Sequence, residues 1–322
     1  MERTQAGLEE LVAAELWVPA PEAARVLADE IRARHGHAVA AVLFYGSCLR
    51  KQTDEGVLDF YVLVDDYASA YSSRWLARAN ALLPPNVFYL EAETPGGTAR
   101  CKYAVVSLRD FARGAGPKAI RPAIWARFCQ PALAVWTRDE AARRAVLDAT
   151  VRAVCTATLR ALEVLPDEAG LQRFSSEELW LALFEETYGG ELRPESADTI
   201  RSLHHAAPER YARVLRAALA VLADADELRL HGDGEKLSAT RPADRLRRGR
   251  RARRVRRPAA KLVGVAQLLK SAVTFGDWLP YALWKLERHT GTRLEPSERQ
   301  RRHPFVFAWP LLFHVLRRRE LR

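Results

Sequence analysis

The chain has 322 residues, 48% of them hydrophobic, and 50 Lys and Arg against 40 Asp and Glu give a net charge of +10. That hydrophobic content argues against global disorder, and the length fits two domains, or one with appendages. The four cysteines form no CxxC pair, which argues against a disulfide framework and a cysteine zinc site.

Residues 6–34 carry apolar positions at helical spacing twice, interrupted by Pro19 and Pro21, and predict two helices. Residues 39–45 are a short apolar run ending in Gly46-Ser47, a strand entering a tight turn. A second strand is expected over 57–64 and a helix over 71–83, closed by Pro84-Pro85. Strands at 87–91 and 102–107 flank the turn Pro95-Gly96-Gly97. From Glu140 the periodicity becomes helical: 141–165 up to Pro166, a helix opened by Ser175-Ser-Glu-Glu, and 206–223. The polar N-terminus lacks the apolar core of a signal peptide and the acid-poor bias of a transit peptide. No run reaches the roughly 18 apolar residues of a membrane span. A reducing, intracellular compartment is therefore expected.

The positive charge is concentrated. Residues 241–261 hold ten arginines and Lys261 against the single acid Asp244, an excess equal to the net charge of the whole chain. Such a segment seeks polyanions, unless it is a solvated linker. Apolar runs with Trp278, Tyr281, Trp284, Phe305, Phe307 and Trp309 follow, then Arg317-Arg-Arg. Aromatic blocks beside arginines, too short to span a bilayer, fit an element lying in a membrane interface. They do not alternate with basic residues as a nucleic-acid groove would require, so no nucleic-acid partner is expected.

One stretch carries chemistry. An apolar strand, Gly46-Ser47, about a dozen residues and then Asp59 on a second strand resemble the skeleton of the nucleotidyltransferase superfamily. Gly46 lets the backbone turn and approach a triphosphate, Ser47 can bond phosphate oxygens, and Asp59 can hold Mg²⁺ against the same phosphates. The usual second acid of Asp-x-Asp is absent, because Tyr61 stands there. Asp65 shares the face of Asp59 but lies roughly 20 Å along the strand, too far to share one ion. Asp65 and Asp66 are expected to be strand-end or capping acids. The eight histidines show no HxxxH spacing, and adjacent His204 and His205 would project apart on a helix. All are expected to be structural or surface residues.

The surrounding residues sharpen this. Tyr45-Gly46-Ser47, Leu58-Asp59-Phe60, Val64-Asp65-Asp66 and Lys102-Tyr-Ala-Val-Val-Ser107 resemble, in order and spacing, motifs of the soluble, peripheral phosphatidate cytidylyltransferases of mitochondria and their bacterial relatives, the Tam-type CDP-diacylglycerol synthases. The likeness extends through Ala126-Arg127-Phe128-Cys129-Gln130-Pro131, Tyr188-Gly189-Gly190-Glu191-Leu192-Arg193 and Lys270-Ser271-Ala272-Val273. It covers most of the chain at modest identity. The family motif Leu-Asp-Phe also lacks the second acid, so Tyr61 is compatible with activity. Cys48 replaces a family glycine, and Gln130 stands where lysine is common, which puts one phosphate contact implied by the resemblance in doubt.

The resemblance implies an α/β nucleotidyltransferase (polymerase-β-like) domain over 1–112. A mostly helical domain, with winged-helix-like character as one option, would span 113–236, and a basic amphipathic membrane-docking segment 237–322. It implies the reaction of CTP with phosphatidic acid to give CDP-diacylglycerol and pyrophosphate, with Mg²⁺. Asp59 would be the metal ligand and, with Lys102, the catalytic pair; Tyr45, Gly46, Ser47 and Arg127 would bind the nucleotide. The partners would be CTP, phosphatidic acid and an anionic membrane surface on the cytoplasmic face of the cell membrane, and removing 241–322 would abolish vesicle binding but spare CTP binding. Another nucleotidyltransferase acting on RNA or a small hydroxyl substrate, or an inactive binding module of the same fold, are the alternatives.

Overall fold

The computed structural model describes residues 2–168, 170–188, 196–232 and 236–274. The aromatic blocks after residue 274, and residues 189–193 of the Tyr188–Arg193 stretch, lie outside them.

Helices α1 (Glu2–Leu16) and α2 (Glu22–His35) occupy the first two periodic stretches, separated where Pro19 and Pro21 interrupt the pattern. Strand β1 (Val39–Tyr45) follows, then the short α3 (Ser47–Lys51) and β2 (Leu58–Val64). The Asp66 carboxylate caps α4 (Tyr67–Ala70) by accepting the Ser69 N–H at 2.9 Å. Then come α5 (Arg74–Leu82) and a long hairpin, β3 (Asn86–Thr94) and β4 (Gly97–Ser107). This hairpin outruns its apolar core, because Glu91 pairs with Arg100 and Glu93 accepts from Thr98 on its polar end. α6 (Leu108–Ala115) and α7 (Trp125–Phe128) lead into β5 (Ala132–Thr137).

The five strands form one mixed sheet in the order β3-β4-β2-β1-β5. β2 and β4 run parallel and the other neighbours antiparallel. Side chains alternate along a strand, so the sheet has two distinct faces. Val42, Phe44, Phe60, Val62, Tyr103 and Val105 bury one face together with α2 residues. Ala41, Leu43, Tyr61, Leu63, Ala104 and Val106 bury the other against the remaining helices. By alternation Tyr45, Asp59 and Lys102 belong to this second face.

α8 (Glu140–Val164) is the central helix, capped by Asp139, whose carboxylate accepts the Ala142 N–H at 2.7 Å. α9 (Ser176–Tyr188) opens with a reciprocal capping pair: Ser175 N–H donates to Glu178 (2.7 Å) and Glu178 N–H donates to the Ser175 hydroxyl (3.1 Å). α10 (Ala197–His205) and α11 (Pro208–Asp224) complete the helical layer. A small antiparallel sheet joins β6 (Leu171–Phe174), β8 (Leu237–Thr240) and β7 (Arg229–His231) in that order. The last described element is α12 (Ala243–Thr274).

Two expected boundaries fall inside sheets. β5 pairs with β1, so the first sheet continues past residue 112 to Thr137. β8 pairs with β6, so residue 237 begins a strand of the small sheet and not a separate segment. The arginine run is neither linker nor detached arm: it is the first half of a 32-residue helix. Arginine is a good helix former, and neighbouring acids cancel much of its self-repulsion. Seven of the ten arginines pair with acids of the same chain, among them Arg250 with Asp167, Arg253 and Arg257 with Glu186, and Arg256 with Glu163. Gly249 lets α12 lie against α8, since a Cβ there would fall 2.7 Å from Glu163 Oε1. At the far end Lys270 donates to the carbonyls of Leu83 (2.5 Å) and Pro85 (2.7 Å), holding the helix to the loop before β3.

Candidate active site

A cleft of about 540 Å³ lies between the second sheet face and helices α8, α9 and α12. Tyr45, Asp59, Tyr61 and Lys102 form its sheet side, and Arg127 joins them from α7. Adjacency in the sheet brings the first four together. Tyr45 is the register partner of Asp59 on β1, and Lys102 is its partner on β4. The opposite wall is one stripe of α12: Arg253, Arg256, Arg257, Lys261, Gly264, Gln267 and Ser271, at helical spacing. Eight Lys and Arg side chains line the cleft against three acids, Asp59, Glu163 and Glu186.

Two of those acids are held. Glu163, 7% exposed, is gripped by Arg160 (3.1 Å) and Arg256 (2.5 Å). Glu186 is gripped by Arg253 (2.7 Å) and Arg257 (3.1 Å). Four arginines share two carboxylates, so the wall keeps a positive surplus toward the cleft. Asp59 is half-buried. Burial pushes its carboxyl above the usual carboxylate range, and the charges of Lys102, Arg127 and Arg50 oppose that shift.

Gly46 has φ +95 and ψ −160, a conformation essentially confined to glycine. A Cβ there would sit 2.9 Å from Asp59 Oδ2. The glycine is therefore demanded by the backbone and by the carboxylate packed against it. Ser47 begins α3, is exposed, and is not among the residues lining the cleft. Of the expected site residues, then, Tyr45, Asp59, Lys102 and Arg127 converge on the cleft, Gly46 supports Asp59 from behind, and Ser47 stands outside.

The residue at the second-acid position is a core residue. Tyr61 is 3% exposed, donates to the Ala123 carbonyl at 3.3 Å, and packs in a ring cluster with Tyr45, Phe111 and Phe128 at centroid separations of 5.3–6.1 Å. Burial raises the Tyr45 phenol well above its ordinary pKa, with Tyr61 and Asp59 adding to the shift, so it remains protonated. Asp65 lies away from the cleft in an ion pair with Arg138. Gln130 is buried, donates to Ala126 O and Tyr188 Oη (both 2.6 Å), and accepts from Arg50 at 3.3 Å. It is a structural brace. Cys48 is buried as well, its thiol donating to the Val57 carbonyl at 3.5 Å.

A Mg²⁺ is commonly held by one or two carboxylates together with substrate phosphates and water. The cleft fits that pattern with Asp59 as the carboxylate, since Glu163 and Glu186 are committed to arginines. Sequence reasoning missed the α12 wall altogether; the available signal was the four-residue spacing of Arg253, Arg257 and Lys261. Among the described residues no helix is long and apolar enough to cross a membrane. No family model matches the chain, and no curated protein matches it.

Proposed function

We propose that the protein is a nucleotidyltransferase that joins CTP to phosphatidic acid at a membrane surface, giving CDP-diacylglycerol and pyrophosphate. The α/β sheet with Gly46 and Asp59 on adjacent strand ends would then be a nucleotidyltransferase core. The observation that supports this reading most is the pairing of Asp59 and Lys102 across from a wall of arginines. One carboxylate in a cleft rich in cations suits two polyanionic substrates meeting at one ion. It suits a neutral or cationic substrate poorly.

Asp59 is the residue that would hold Mg²⁺, and the ion when bound neutralises charge on the phosphates. Lys102 and Arg127 bind phosphate oxygens on the sheet side and orient the α-phosphate. Arg253, Arg256, Arg257 and Lys261 hold the second anion from the α12 side. A phosphate oxygen of phosphatidic acid attacks the α-phosphorus of CTP, the bond to the bridging α–β oxygen breaks, and pyrophosphate leaves with the electron pair. The attacking phosphate is already ionised at neutral pH, so no general base is required. That is consistent with a cleft lining that holds no histidine among the described residues.

α12 also turns an outer stripe away from the cleft. Arg251, Val255, Leu262, Val265 and Leu269 follow helical spacing on it, with Leu262 and Leu269 72% and 66% exposed. A basic start and an apolar continuation suit an anionic bilayer surface. Because α12 also walls the cleft, removing 241–322 would take away the second anion's site together with the outer stripe. The deciding experiment incubates the full chain with CTP, Mg²⁺ and phosphatidate vesicles. CDP-diacylglycerol formation supports the reading; nucleotide binding without turnover would point to an inactive module.

A further inference from the structure

His204 and His205 end α10, and adjacent helical positions point about 100° apart. They converge only if a third group sits between them. Glu177, in the first turn of α9, does so: His205 Nε2 lies 3.1 Å from Glu177 Oε1. One ligand atom from each of Glu177, His204 and His205 lies within 4.8 Å of the others.

His204 supplies a second and independent observation. It is 4% exposed, and neither ring nitrogen has a hydrogen-bond partner among the described residues. Its ring stacks on Tyr211 (5.5 Å, 27°) and meets His205 edge-on (5.9 Å, 67°). Buried polar atoms left unmatched are costly and rare, and one of these nitrogens lies within 4.8 Å of a Glu177 carboxylate oxygen and a His205 ring nitrogen.

We propose that Glu177, His204 and His205 form a binding site for a zinc-class divalent cation, separate from the cleft. None of the three lines the cleft. Two imidazoles and one carboxylate favour zinc over magnesium or calcium, which prefer all-oxygen shells. Tetrahedral bonds of 2.0–2.1 Å set donors about 3.3 Å apart. The His205–Glu177 separation already meets this, and the His204 ligand atom lies within 4.8 Å of both. The ion would fasten the start of α9 to the end of α10.

The test is calorimetric titration of zinc chloride into chelator-stripped full-length protein, with excess Mg²⁺ present, alongside thermal unfolding. Glu177→Gln and His205→Ala are suitable variants, because these side chains are 52% and 59% exposed and their removal spares the core. One zinc per chain is expected, insensitive to Mg²⁺ and raising Tm. Each substitution should weaken it at least about tenfold and remove the Tm rise. Absence of zinc binding by the wild type would overturn the proposal. So would zinc affinity that neither substitution changes, which would place the ion elsewhere on the chain.

Discussion

Gly46→Ala offers the most discriminating perturbation of the site. At φ +95 and ψ −160 an alanine costs about 1–3 kcal/mol in backbone strain alone, a few degrees in Tm for a chain of this size. Its Cβ would also meet Asp59 Oδ2 at 2.9 Å, so the carboxylate has to move. Misplacing a catalytic group by about 1 Å can cost on the order of 100-fold in rate. Gly36→Ala is the internal control. Gly36 precedes the same strand at φ +59 and ψ −142, but a Cβ there meets nothing within 4 Å. Denaturant unfolding and turnover at saturating CTP should show a stability loss in both variants, no smaller in Gly46→Ala, and a rate loss in Gly46→Ala alone. Wild-type turnover in Gly46→Ala, or an equal rate loss in Gly36→Ala, would refute the packing of Gly46 against a working carboxylate.

Three further outcomes follow from α12. Arg257 is 56% exposed, and its partner Glu186 keeps Arg253, so Arg257→Gln should alter stability by less than about 1 kcal/mol; KM for an anionic substrate should rise several-fold with kcat little changed. A variant that lost kcat alone would place Arg257 in the chemistry and not in binding. Burial, with Arg121 nearby, pushes the Lys270 amine down to about 8 from its usual 10.5. The native state then holds fewer protons than the unfolded chain between those values, so stability rises with pH across that window. Melting curves from pH 8 to 10 should show this increment in the wild type and not in Lys270→Met. The double variant Leu262→Glu/Leu269→Glu should fold normally, since both side chains are exposed, yet sediment less with anionic vesicles. Undiminished sedimentation would remove the outer stripe of α12 from the membrane contact.

Much of the sheet was legible because its pattern is local. The apolar run 39–45 became β1 with both ends as read, and Gly46 followed by an acid on the next strand located Asp59 beside it. Strand alternation also placed Lys102 on the face of Asp59 once the register was known. β5 was missed because Ala132–Thr137 has no polar alternation and stands between helical stretches. α12 was misread for a different reason. The acids that neutralise its arginines, Glu163, Asp167, Glu186 and Glu227, lie far from it in sequence, and such pairing leaves no local trace. The same holds for Glu177 and the two histidines, which converge only through the packing of α9 against α10.

If Asp59 serves nucleotidyl transfer to phosphatidic acid, its isosteric amide must lose the reaction. Wild type and Asp59→Asn are incubated with CTP, Mg²⁺ and phosphatidate vesicles, and CDP-diacylglycerol and pyrophosphate are measured. The folded-state pKa of Asp59 is raised, so its ionised form opposes stability as pH rises through that value. The asparagine variant should therefore melt no lower than the wild type at neutral pH. Equimolar products are expected from the wild type and none from this stable variant. Equal product from both, or none from a wild type that binds CTP and vesicles, would contradict it.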